Sequence, residues 1–180
     1  MSEELPGEPL DGPLDDLGVL AEATALAASG YLDGVTSVAR GDAPATALPV
    51  LLLAVSEVSV AGARLGALAD VETGGAPGAA QQDEDVTALR EALAAVLAGV
   101  DEYTDLLDPL TSREVVPGRL SDDLAEVAAA LVTGLRAHAD GRVDEALAAW
   151  QSSYLAGWGA RAASALRVLQ SLLAHVRQQA

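Results

Sequence analysis

The side chains in this sequence that could do chemistry are few, and they sit in a largely apolar chain. Glu57 and Arg64 lie seven residues apart in the run LPVLLLAVSEVSVAGARLG. On a helix they share one face but stand too far apart to touch, so each needs a partner from another helix. The candidate partners are Arg161 or Arg167 for Glu57, and Asp105 or Asp108 for Arg64. A second concentration is WQSSYLAGWG: in a chain with two Trp, three Tyr and no Phe, Trp150, Tyr154 and Trp158 fall inside nine residues. Glu57, Arg64, Tyr154, Trp158 and Arg161 together make a candidate ligand or partner site, an acid and guanidinium pair beside aromatic rings. The same charges serve equally as a structural ion-pair network, and the same rings as core.

Other chemistry is excluded by what is missing. With no Cys there is no disulfide, thiolate metal site or cysteine nucleophile. His138 and His175 are not in an HExxH or paired-ligand spacing. The acids Asp101, Glu102, Asp105 and Asp108, near Asp122 and Asp123, could gather a divalent cation, but solvated helix ends explain them more simply. GARLGA has no strand before it and no Lys, so it is not a phosphate loop. No nucleophile and base pair is recognisable. No catalytic residue, metal or cofactor is therefore assigned.

The formal charge is −17, and a field of that sign repels phosphate backbones and anionic lipid headgroups. Nucleic acid and membrane surfaces are poor partners on this ground, and cationic partners or divalent ions are the permitted ones; a protein partner is possible and unidentified. Lys, Asn, Ile and Phe are absent, which matches a high-GC bacterial genome rather than a physical adaptation. The start, MSEELPGEPLDG, is acidic and bears Pro and Gly, so residues 1–12 read as a flexible tail and the setting as cytoplasmic.

The elements that must position these residues read as helices throughout. Leu17, Ala21, Ala28, Tyr31, Val35 and Val38 recur at helical steps until Gly41. A second helix follows Pro44 and runs to about Ala69, with Pro49 in its first turn; it is apolar on both sides, which places it in the middle of a bundle with Glu57 and Arg64 enclosed. Residues 70–82 read as a mobile linker. A third helix is expected from Asp83 to Asp108 and a fourth from a Ser121 cap to Gly141. From Val143 one long helix of about 35 residues carries the aromatic row. Trp150 is expected in the core and Trp158, between Gly157 and Gly159, partly exposed. The expectation is an all-α, single-domain bundle of about five helices over residues 13–180, with a long C-terminal helix.

The strings ARLGA at Ala63, SDDLAEV at Ser121, GLRAH at Gly134, GRVDEALAAWQSSY at Gly141 and WGARAASALRVLQS at Trp158, in that order, resemble an uncharacterised bacterial family, domain of unknown function 5063. The likeness runs from about Ala28 to Arg177 and implies a small cytosolic helical protein without supplying an activity. The functional expectation is a non-enzymatic protein-interaction or regulatory module. The alternative is a small-molecule-binding or hydrolytic bundle with a cleft near Glu57, Arg64 and Trp158.

Overall fold

Apolar residues at three- and four-residue steps produce helices along most of the chain, and the protein's structure, a computed structural model, describes residues 13–42, 44–71, 86–107 and 110–179. The order is α1 Pro13–Ala39, a 3-10 turn Pro44–Thr46, α2 Ala47–Gly66, α3 Thr87–Val96, β1 Glu102–Leu106, β2 Val115–Arg119, α4 Leu120–Ala139, α5 Val143–Ser153, a π turn Tyr154–Trp158 and α6 Gly159–Gln179. α5, the π turn and α6 run on without a break, so the expected long C-terminal helix is present and the class is all-α, with one small two-stranded sheet. The acidic tail 1–12 and most of the linker 70–82 lie outside the described residues. Where the linker begins, the Val71 N–H donates to Gln151 Oε1 at 2.9 Å, and the Gln151 amide donates to the Leu65 carbonyl at 3.0 Å and the Ala69 carbonyl at 3.2 Å. One buried glutamine of α5 thus closes the C-terminal end of α2.

α1, α2, α4 and the α5–α6 rod pack around a core of Tyr31, Val35, Leu51, Val55, Leu65, Leu124, Leu131, Leu147, Trp150 and Leu169. Tyr31 is buried, and its hydroxyl donates to the Leu124 carbonyl at 2.8 Å. Between α4 and α5, Gly141 at φ 77° makes the tight turn that the sequence leads one to expect. α2 is long and apolar enough to cross a membrane by length and composition; in this fold it packs against α1 and α6.

Two expectations are corrected. The third helix does not reach Asp108: it stops at Val96, and Gly99, in the left-handed region at φ 88°, turns the chain away. Beyond it EYTDL pairs antiparallel with VVPGR, from Glu102 opposite Arg119 to Leu106 opposite Val115. Tyr103 lies opposite Gly118, and its ring fills the place a Cβ would take, 2.5 Å from Tyr103 Cζ. The second correction concerns α2, which is not enclosed. Leu51, Val55, Val58 and Leu65 are buried, but Leu53, Glu57, Val60 and Arg64 form an exposed outer stripe.

The aromatic row is core at both ends. Trp150 is 0% and Trp158 3% exposed, so the expected partial exposure of Trp158 is also corrected. Eight residues at about 100° each in a straight α-helix would leave the two indoles about 80° apart, and the extra residue taken up by a π turn cancels most of that rotation. The space for the rings comes from glycines of neighbouring helices. A Cβ at Gly62 of α2 would lie 2.5 Å from Tyr154 Cε2 and 2.6 Å from Trp158 Cη2, and one at Gly134 of α4 would run into the Trp150 indole. Gly157, by contrast, faces open space.

Candidate functional site

The polar residues of the fold converge where the β-hairpin meets α4 and α6. Asp101, just before β1, accepts the Ser121 N–H and the Ser121 hydroxyl, both at 2.8 Å, and pairs with Arg119 at 3.0 Å. It therefore caps α4 from outside, whereas Ser121 was expected to be the cap; the N-cap position belongs to Arg119, whose side chain makes no cap bond. Tyr103 points inward from β1, and its hydroxyl donates to Asp123 Oδ2 at 2.5 Å. Arg161 of α6 donates to the other oxygen of Asp123 at 3.1 Å and pairs with Glu126 at 2.9 Å. Asp105, two residues along β1, accepts the Ser164 hydroxyl at 2.5 Å and the Arg167 guanidinium at 3.0 Å. The Arg167 guanidinium also stands 5.9 Å from the Tyr103 ring centroid, within cation–π range. Arg90 of α3 extends the cluster, its Nε 3.1 Å from Asp122 as an ion pair without hydrogen-bond alignment.

Two strands alone are marginal in water, so this cluster is what holds the hairpin on the helices. Its acidity is tuned in opposite directions. Burial pushes the Asp123 carboxyl above its ordinary value, against the pull of the Tyr103 hydroxyl and Arg161. Burial, then the bond to Asp123 and the charge of that carboxylate, push the Tyr103 phenol far up. At Asp105 burial also acts upward, but the bonds from Ser164, the Leu106 N–H and Arg167 outweigh it and the net shift is down. The charged form of Asp105 is therefore favoured, which suits a carboxylate holding Arg167 near the surface.

The other side of the hairpin is open. Leu106 is 43% exposed, Leu107 61%, Leu110 92% and Val115 62%, so the far end of the hairpin carries a group of apolar side chains without cover among the described residues. The Leu107 N–H donates to the Glu114 carbonyl at 2.9 Å, which prolongs the ladder one pair beyond the strands.

The sequence-expected site residues separate into two groups. Tyr154 and Trp158 meet edge to face at 4.8 Å, and Arg161 follows one turn later, beside Trp158 on a shallow groove with Glu126. Glu57 and Arg64 are not with them. They lie on the exposed stripe of α2, while Gly62 and Gly66 receive the Tyr154 ring. Among the described residues neither Glu57 nor Arg64 enters an ion pair, and the partners expected for them are engaged elsewhere, Arg161 with Asp123 and Glu126, and Arg167 and Asp105 with each other. The physical reason is that α2 has two apolar stripes and the bundle covers only one. Asp108 lies outside the described residues, and among those described no three His, Asp or Glu side chains gather as a metal site would require. The polar cluster itself was not foreseen as a unit; the signal for it was the placing of Tyr103 and Asp105 two residues apart, with an Asp-Pro dipeptide, a turn signal in any sequence, following.

The chain is similar over most of its length to the crystal structure of protein BF1032 from Bacteroides fragilis, a structural-genomics target, with a TM-score of 0.68 and 19% identity, covering 88% of this chain and 93% of that one. At that identity the likeness shows a shared fold. No curated protein matches the sequence significantly. The family model described as Domain of unknown function (DUF5063) matches residues 16–175, nearly all of the helices and the whole hairpin, and the chain belongs to that family.

Proposed function

We propose that this protein is a non-enzymatic, cytoplasmic interaction module that engages another protein through the exposed end of its β-hairpin. The observation that carries the reading is the pairing of a polar base with an apolar tip. Tyr103, Asp105 and Asp101 tie the hairpin to α4 and α6, while Leu106, Leu107, Leu110 and Val115 present apolar surface to solvent. An apolar group of this kind on a soluble chain marks a contact surface. The net charge of −17 selects the partner's character: an apolar patch bordered by basic residues, rather than a nucleic acid or an anionic lipid surface. Nothing in the polar cluster resembles a nucleophile with its base, and its acids and guanidinium groups are paired with one another.

The test compares the wild-type protein with a Leu107→Ser/Leu110→Ser variant, each used to isolate complexes from its native cells. The expected result is a stoichiometric protein partner held by the wild type and lost with the variant, while helical content and unfolding midpoint stay the same. A partner retained equally by both would remove the hairpin from the interface.

A further inference from the structure

A groove of about 320 Å³ opens where the π turn crosses α4, lined by Glu126, Ala130, Ser153, Gly157, Trp158 and Arg161. Three independent observations meet there. Trp158 lines the groove, and its indole N–H is buried with no acceptor among the described residues, whereas that of Trp150 donates to the Leu131 carbonyl at 3.0 Å. Orphaned buried donors are rare in native proteins and call for an explanation. Gly157 opens onto the groove, and a Cβ there would meet nothing within 4 Å. A helical glycine that makes room for no neighbour sacrifices helix stability without a packing reason, and here it leaves the groove open. Finally, Glu126 sits at the rim, half exposed, with one oxygen 2.9 Å from Arg161 and the other 4.0 Å from Arg90. The π turn that assembles these groups is a feature found frequently at functional sites.

The polarity of the groove restricts what fits. Its donor without an acceptor asks for a carbonyl oxygen. The charge of Arg161 is already balanced by Asp123 and Glu126, and the whole chain is strongly acidic, so an anion is disfavoured. Glu126 has accepting capacity toward solvent and favours an ammonium group. We infer that this groove binds a small cationic amide, its carbonyl oxygen accepting from the Trp158 N–H and its amine beside Glu126. The inference is independent of the hairpin reading. Because the N–H is closed to water in this conformation, seating a carbonyl on it requires the groove's side chains to shift, which gives binding a visible signature.

The protein holds two tryptophans, so a 15N-correlated spectrum of the full chain contains two indole cross-peaks, assigned with Trp158→Phe, and Trp150 serves as the internal reference. The probe is glycinamide, with acetamide and acetate as controls. The expected result is a saturable downfield shift of the Trp158 peak with glycinamide, a weaker response to acetamide, none to acetate, and a stationary Trp150 peak. Gly157→Leu fills the open space and should abolish the response while leaving the Trp150 peak in place and the unfolding midpoint no lower than that of the wild type. Glu126→Gln should weaken binding about tenfold, the loss of one charge-assisted hydrogen bond. The inference is overturned if the Trp158 peak does not move saturably, if acetate moves it as far as glycinamide, or if Gly157→Leu binds as the wild type does.

Discussion

The same chemical change, glycine to alanine inside a helix, should have opposite signs at two positions of this fold. In a helix interior the change is favourable by about 1 kcal/mol, because alanine loses less backbone freedom on folding. At Gly157 nothing lies within 4 Å of the new Cβ, so most of that gain should appear, about 0.5–1 kcal/mol of added stability. At Gly62 the new Cβ would stand 2.5 Å from Tyr154 Cε2 and 2.6 Å from Trp158 Cη2. Tyr154 cannot swing aside, since its ring is also packed on Gly66 and Gly159, where added Cβ atoms would lie 2.9 Å and 2.6 Å from it. Overpacking costs about 1–3 kcal/mol, and a ring held at 2.5 Å with nowhere to move takes the upper part of that range, about 2–3 kcal/mol, which outweighs the propensity gain and leaves Gly62→Ala about 1–2 kcal/mol less stable than the wild type. The two variants should therefore differ by about 1.5–3 kcal/mol, or roughly 3–12 °C in Tm for a chain of this size. Urea unfolding followed by far-UV dichroism and by tryptophan fluorescence measures both. If Gly62→Ala is as stable as Gly157→Ala, the rings are not seated on α2 as described.

Arg64→Ala should change stability by no more than about 0.5 kcal/mol, as expected for an exposed residue outside any ion pair among the described residues, and urea midpoints indistinguishable from wild type would bear this out. A loss of several kcal/mol would restore the enclosed α2 that the sequence suggests. Alkaline unfolding should be set by Tyr31 and Tyr103. Burial first and the Asp123 carboxylate second raise both phenols above the ordinary 10.0, so the stability they contribute is fully present below pH 10 and is lost as the pH rises beyond it. Tyrosinate absorbance from these two residues should appear only together with the loss of helical dichroism; ionisation well before unfolding would contradict their burial and bonding.

The helices were legible because their period is written in Leu, Val and Ala at every third or fourth place, and Gly41 and Gly141 mark their ends. The hairpin was not. Val100, Tyr103 and Leu107 continue the spacing of Leu93 and Val96, so the helical seam runs straight through a segment that is a strand, and only the left-handed Gly99 ends it. Glu57 and Arg64 were misplaced for a different reason. An apolar stripe on each side of α2 shows that either could be buried, and nothing local tells which one α1 and α6 will cover. The aromatic row was recognisable as core, but the residues that admit it, Gly62, Gly66 and Gly134, lie about 15 to 100 residues earlier in the chain, and their register against the rings is a property of helix packing alone.

The π turn also bears on how such a chain can vary. It stores one residue more than an α-helix would use between Ser153 and Gly159, and that surplus keeps Trp158, Ala162, Ala165 and Leu169 on the same inward face as Leu147 and Trp150. Deleting one residue of the turn would let the segment relax into a regular helix with everything downstream left in phase, whereas straightening the turn with all five residues Tyr154–Trp158 kept would rotate everything downstream by about 100°. On such a rotation Leu169 would swing toward water and Arg167 toward the core. Here the local winding, more than the length of the chain or the identity of any one side chain, is the quantity under constraint: substitutions at exposed Leu155 or Ala156 are cheap, and the loss of one of them is absorbed as a regular helix.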